Sequence, residues 1–151
     1  YAVVLHTSVL GFLLATDAPE KMMITREFFR NGLKNHSTYI SDLVMNEVEK
    51  VFKGNIKYFE VLIKKHNFKL LATDEKCINL AKKYIQAGII PEKYQNDAIH
   101  IAIAVINKTD VIVSWNMRHI VRLKTIVGVN KINRELGYSE IMINTPEEVI
   151  E

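Results

Sequence analysis

Apolar positions along the chain fall into short runs whose period switches between continuous strands and helical stripes. Ala2 to Leu5 is a continuous apolar run of strand length, and a polar turn at His6, Thr7 and Ser8 leads into a helical run carrying Val9, Leu10, Phe12 and Leu13. A second helical pattern extends from Lys21 to Phe29. Thr38 to Ile40 reads as a short strand, after which Ser41 or Asp42 is placed to cap a helix with Leu43, Val44, Val48 and Val51 on one face. A helix is expected over Ile56 to Lys65 and a strand over Phe68 to Leu71. Thr73 or Asp74 caps the next helix, which Gly88 ends in the left-handed conformation. Pro91 opens a helix that runs through Ile106 and is apolar nearly all round after Asp97, the pattern of a helix covered on every side. Val111 to Ser114 is a β-branched strand, Leu123 to Leu136 a helix with Gly137 behind it, and Ile141 to Asn144 a last strand.

Strands alternate with helices throughout, and the strands are runs of Val and Ile rather than apolar/polar alternations. Together these predict an α/β fold, a three-layer α/β/α sandwich with a mainly parallel central sheet. The 151 residues hold no internal repeat, linker or low-complexity segment, so one domain over residues 1–151 is expected. In open sheets of this kind ligands collect beyond the carboxyl ends of the strands, which directs attention to polar residues just after each strand.

Composition changes this picture little. Hydrophobic residues at 48% and charged residues at 25% are those of a globular chain, and no apolar run approaches the roughly 20 residues needed to cross a bilayer. Tyr1 to Leu5 lacks the basic flank and cleavage site of a signal peptide. A cytoplasmic protein is expected, and the single Cys77, beside Ile78 and Leu80 on a helix, reads as a buried thiol in a reducing compartment. A net charge of +3 favours a polyanionic partner without demanding one.

Candidate chemistry begins with two carboxylates. Glu47 shares a helical stripe with Leu43, Val44 and Val51, and Asp97 shares one with Ile101 and Ala104. A carboxylate on a core-facing stripe must be paired, hydrogen-bonded or bound to a cation. His6 and Asn116, each just past a strand, would stand at the same sheet edge. No nucleotide-binding glycine loop, no H-E-x-x-H and no paired cysteines are present, and Ser8 lacks the elbow of a serine hydrolase.

The blocks LHTSVL, YISDLVMNEVEKV, KYQNDAIHIAIA and VIVSWNMRHIV, followed by INRELGYSEIMINTPEEVI, resemble in order and spacing the signature blocks of PIN-domain proteins of the toxin (VapC-like) type. The resemblance spans nearly the whole chain, and its specific part is NDAIHIAIA followed by VSWN. It implies an endoribonuclease using Mg2+ or Mn2+ to activate water, the catalytic half of a toxin–antitoxin pair, a homodimer, and RNA as substrate. The family's second and third acids match Glu47 and Asp97, and its fourth position, commonly Asn in the SWN branch, matches Asn116. These would hold the metal, with Thr7 and Ser8 beside them and His100, one turn after Asp97, as further support.

Where the family has its first metal-binding Asp, this chain has His6. Imidazole removes a charge and an oxygen from a site for a hard cation, so weakened Mg2+ binding and impaired cleavage are expected. The alternative is a non-catalytic module of the same fold that binds RNA or a protein partner. His100 reads more simply as a packed, hydrogen-bonded histidine, and Trp115 as a core anchor rather than a base-stacking surface. Arg118, His119, Arg122 and Lys124 either contact phosphates or form a solvated face.

Overall fold

The computed structural model describes residues 1–149; Ile150, which ends the last of the motif blocks, and Glu151 lie outside the described residues. Five strands, β1 (Ala2–Leu5), β2 (Ser37–Ser41), β3 (Lys69–Leu71), β4 (Val111–Val113) and β5 (Met142–Asn144), form one sheet in the order β3-β2-β1-β4-β5. Every pairing is parallel. The chain winds outward from β1 through β2 to β3, crosses back, and winds the other way through β4 to β5. A topological switch point therefore lies between β1 and β4, where a doubly wound sheet opens a crevice.

Helices α1 (Thr7–Phe12), α2 (Pro19–Glu27), α3 (Asp42–Val51) and α4 (Ile56–Lys65) lie between the first three strands in sequence. After them come α5 (Glu75–Gln86), α6 (Gln95–Ile106), α7 (Leu123–Glu135) and the short α8 (Pro146–Val149). Two cores separate on the two faces of the sheet because strand side chains alternate. Val3, Leu5, Val111 and Val113 pack with Leu10, Phe28, Val44 and Phe59 on one side. Val4, Ile112 and Ile143 pack with Leu80, Tyr84, Ile101 and Val129 on the other. The three-layer parallel architecture expected from the sequence is the one observed.

Local signals set the ends of the elements. Ser41 caps α3 by accepting from the Val44 amide, and Asp74 caps α5 by accepting from the Cys77 amide. Gly88 and Gly137 take φ of +75° and +81° just past α5 and α7, the left-handed closure a Cβ would disfavour. Differences from expectation are confined to edges. Pro91 precedes a 3₁₀ turn, Glu92–Tyr94, before α6 proper begins at Gln95. The second helix starts earlier, at Pro19, and its apolar end is a π-helical turn, Phe28–Gly32. Val51 does not join the buried face of α3, being 69% exposed, because the helix runs past the edge of the core.

One contact tests the packing directly. A Cβ added at Gly128 in α7 would lie 2.7 Å from Cγ1 of the buried Ile89 and 3.1 Å from its Cγ2, and a β-branched side chain has little freedom to withdraw. Gly128→Ala is expected to lower stability in urea by about 1–3 kcal/mol despite alanine's better helix propensity. A neutral or stabilising result would show that this helix is not packed as described.

Candidate functional site

His6 is where strand turns into helix. Its amide continues the ladder by donating to the Val113 carbonyl at 3.0 Å, and its side chain caps α1. Nδ1 lies 3.2 Å from the Ser8 amide and 2.8 Å from Ser8 Oγ, itself an acceptor of the Trp115 amide at 3.0 Å. A ring nitrogen that receives an N–H is unprotonated, so the proton of the neutral ring resides on Nε2. That Nε2 faces Asp97 Oδ1 at 3.5 Å.

Asp97 stands in the first turn of α6, where the helix dipole favours a carboxylate. Its Oδ2 accepts from the Asn116 side-chain amide at 3.2 Å. The Asn116 carbonyl oxygen turns away, accepting from the amides of Arg118 and His119 at 3.1 and 3.0 Å. Glu47, from the middle of α3, places Oε1 2.6 Å from Thr7 Oγ1 and 2.6 Å from His100 Nε2. The rings of His6 and His100 meet edge to face with centroids 4.5 Å apart. The structure thus brings His6, Glu47, Asp97 and Asn116 to one place at the carboxyl edge of β1 and β4, with Thr7, Ser8 and His100 among them.

Burial alone would raise the Glu47 carboxyl, but the hydrogen bond and charge of His100, then the Thr7 hydroxyl and His6, outweigh it and hold it at about 2. Burial, reinforced by the neighbouring His100, moves His6 the other way from protonation, below its ordinary value, against the pull of Asp97. Near neutral pH His6 is therefore a neutral donor facing Asp97, close to the ionised Glu47.

A divalent cation does not fit this arrangement. Among the described residues no three His, Cys, Asp or Glu side chains converge as ligands. The His6 nitrogen that faces the acids carries a proton, and each acid already accepts from a neighbour. The Asn116 carbonyl oxygen is not free to ligate either, because its two backbone donors fix the amide, not the oxygen, toward Asp97.

Beside the acids opens a cavity of about 710 Å³, running from His6, Thr7 and Glu47 to Phe12, Val51 and Phe52. Most of its wall is apolar; Phe12 and Val51 were read from the sequence only as core-facing helix positions, and Phe52 was not singled out. Ser114 was also missed: its Oγ accepts from the Asn116 amide at 2.9 Å and lies 3.2 Å from His6 Nδ1, tying the two strand ends together. The only sequence signal was a polar residue closing an apolar strand. Trp115 is buried, its Nε1 donating to Thr25 Oγ1 at 2.8 Å, which makes it an anchor. Arg118, Arg122 and Lys124 are exposed on the loop after Asn116 and the start of α7, while His119 stacks on Tyr94 at 3.9 Å. Cys77 is buried, and desolvation pushes its thiol up to about 11, so it is inert.

No protein-family model matches the chain, and no curated protein matches it. Among solved structures, a chain in the crystal structure of VapBC2 from Rickettsia felis bound to a DNA fragment from their promoter is similar to it, with a TM-score of 0.58 and 13% sequence identity. The match covers 96% of this chain and 98% of that one. Likeness at that identity extends to the fold, and the fold is shared from end to end. No helix among the described residues is long and apolar enough to cross a membrane.

The His100–Glu47 contact has a measurable signature. Because Glu47 titrates lower folded than unfolded, its ionisation stabilises the fold fully above the ordinary value of 4.5, and that contribution disappears as pH falls toward about 2. In His100→Ala, burial is left opposed only by weaker partners. The Glu47 carboxyl, followed by carbon NMR, is expected to titrate higher, and the stability loss between pH 4.5 and 2 to shrink. An unchanged Glu47 titration would refute the assignment.

Proposed function

We propose that this chain is a PIN-type ribonuclease module of a toxin–antitoxin pair, impaired in divalent-metal cleavage because His6 occupies the place of the first acidic ligand. The observation that carries the reading is the set of side chains at the switch point: Glu47, Asp97 and Asn116 stand at the positions the PIN signature blocks assign to its acids. The end-to-end fold similarity to a VapBC2 chain supports the toxin–antitoxin setting with an antitoxin as partner. A homodimer as the assembly and the cytoplasm as the place belong to the same reading through the resemblance of the sequence blocks alone.

His6 explains the impairment in physical terms. An aspartate there would put three carboxylates around one point, an arrangement that requires Mg2+ or Mn2+ to neutralise it. An imidazole supplies a donor instead, so the remaining acids are satisfied by the protein and the demand for a cation falls. The second reading, a non-catalytic module that binds RNA or a protein partner, is favoured by the same closure: all four side chains are hydrogen-bonded or paired beside a large open cavity.

Cleavage of a labelled RNA separates the two. The chain as it stands is expected to cut little in Mg2+, and His6→Asp to cut at least about tenfold faster, the low end of what even indirect neighbours of a metal contribute. Adding Asp97→Asn to His6→Asp is expected to abolish the gain, and Mg2+ titration by calorimetry to follow the same order. Equal cutting by the unaltered chain and His6→Asp would sink the account of position 6. No cutting and no metal binding by either would leave the binding module as the function.

A further inference from the structure

The opposite edge of the sheet carries a second cavity, about 500 Å³, between the π-helical turn, the start of β2 and the start of β3. It is of the size that small-molecule sites occupy. Since β2 advances from Ser37 to Ser41, this edge lies on the order of 13 Å from the acidic cluster. Its charge is of the opposite sign: Arg30, Lys34, His36, His66 and Lys69 line it, and no carboxylate does.

His36 Nδ1 accepts from the Tyr1 ammonium at 3.0 Å, which adds a further positive charge beside the cavity. Arg30 is partly offset by Glu27 at 3.2 Å, outside the cavity. Among the described residues Lys34 has no carboxylate within ion-pairing distance, whereas Lys69 places Nζ 5.7 Å over the ring of its register partner Tyr39, on the other face of the sheet from Thr38. His66 is held in orientation by Phe29, edge to face at 5.7 Å, and by Phe68, stacked at 5.7 Å, yet neither ring nitrogen has a hydrogen-bond partner among the described residues. Its ring is thus fixed by packing while its polar atoms are left for something else. The Thr38 hydroxyl, on the cavity floor, is likewise without a side-chain or backbone partner among the described residues.

We infer that this cavity is a phosphate-binding site that takes a nucleotide, with Lys34 and Arg30 around the phosphate, His66 and Thr38 donating to it, and the Phe29–His66 wall beside the base. An anion answers every unpartnered donor at once, which neither a cation nor a neutral ligand does. The aromatic wall and the volume favour a nucleotide over bare phosphate. Burial first, and then the adjacent Lys65, hold the His66 imidazole below its ordinary value, in keeping with surroundings that lack any acid. The site is independent of the acidic cluster and stands whether or not the chain cleaves RNA.

Binding is read by nitrogen–proton NMR of the His66 ring during titration of the unaltered chain with AMP, inorganic phosphate and adenosine. AMP is expected to shift the His66 signals saturably and adenosine to leave them in place. Tighter binding of AMP than of phosphate makes the nucleotide the ligand, and equal binding makes it free phosphate. Lys34→Glu with Arg30→Glu, both on exposed side chains, is expected to weaken AMP binding by at least about tenfold, the loss of one charge-assisted contact. His66→Phe keeps the aromatic packing and removes the donor, so affinity should fall at an unchanged thermal midpoint. Adenosine binding as well as AMP, no saturable shift with AMP or phosphate, or AMP affinity untouched by the double charge reversal would each overturn the assignment.

Discussion

Strand β1 is the piece on which both cores close. Val3 and Leu5 point into one and Val4 into the other, and the strand lies mid-sheet between β2 and β4. Four residues therefore fix the register of the two halves of the fold, because a one-residue slip would turn all three side chains to the wrong face. The same register sets His6 beside Ser114 at the switch point, so the site's geometry follows from the packing of an apolar strand.

Around that point the polar side chains satisfy one another. Capping α1 commits Nδ1 of His6 as an acceptor, the tautomer follows, and Nε2 is left as a donor toward Asp97. His100 plays the corresponding part for Glu47. Each acid, partly withdrawn from water, thus has a donor, which is the condition under which a carboxylate tolerates burial. An acceptor replaced by a donor at position 6 changes what the cluster needs from outside while leaving the strand and the cap intact.

The two edges of the sheet differ in electrical character. Carboxylates gather at the carboxyl edge, cradled by histidines, and cations gather at the amino edge around His66 in a cavity that no carboxylate lines. A net charge of +3 conveys none of this, since it sums over groups that the fold sends to opposite ends.

The sequence by itself determined the layers, because periodicity of apolar residues is a local signal: continuous runs such as Val111–Val113 and the all-round apolar stretch of α6 admit one reading. The caps were legible to within one residue, as Ser41 or Asp42 and Thr73 or Asp74, and so was the left-handed Gly88. It also singled out the residues of the acidic cluster, through blocks whose spacing resembles a known family. Tertiary structure alone decided what those residues do to each other. That Glu47 meets His100 across 53 positions, that the Asn116 carbonyl is claimed by its own loop, and that Ser114 bridges two strand ends all depend on distances that no spacing along the chain encodes. The cationic cavity was invisible for a like reason: Arg30, Lys34, His66 and Lys69 are unremarkable surface residues in sequence, brought together only when the π-helical turn packs beside β3. Local patterns fix elements because they act between near neighbours, whereas charge and hydrogen bonding act across space, and only the folded chain says which groups are near.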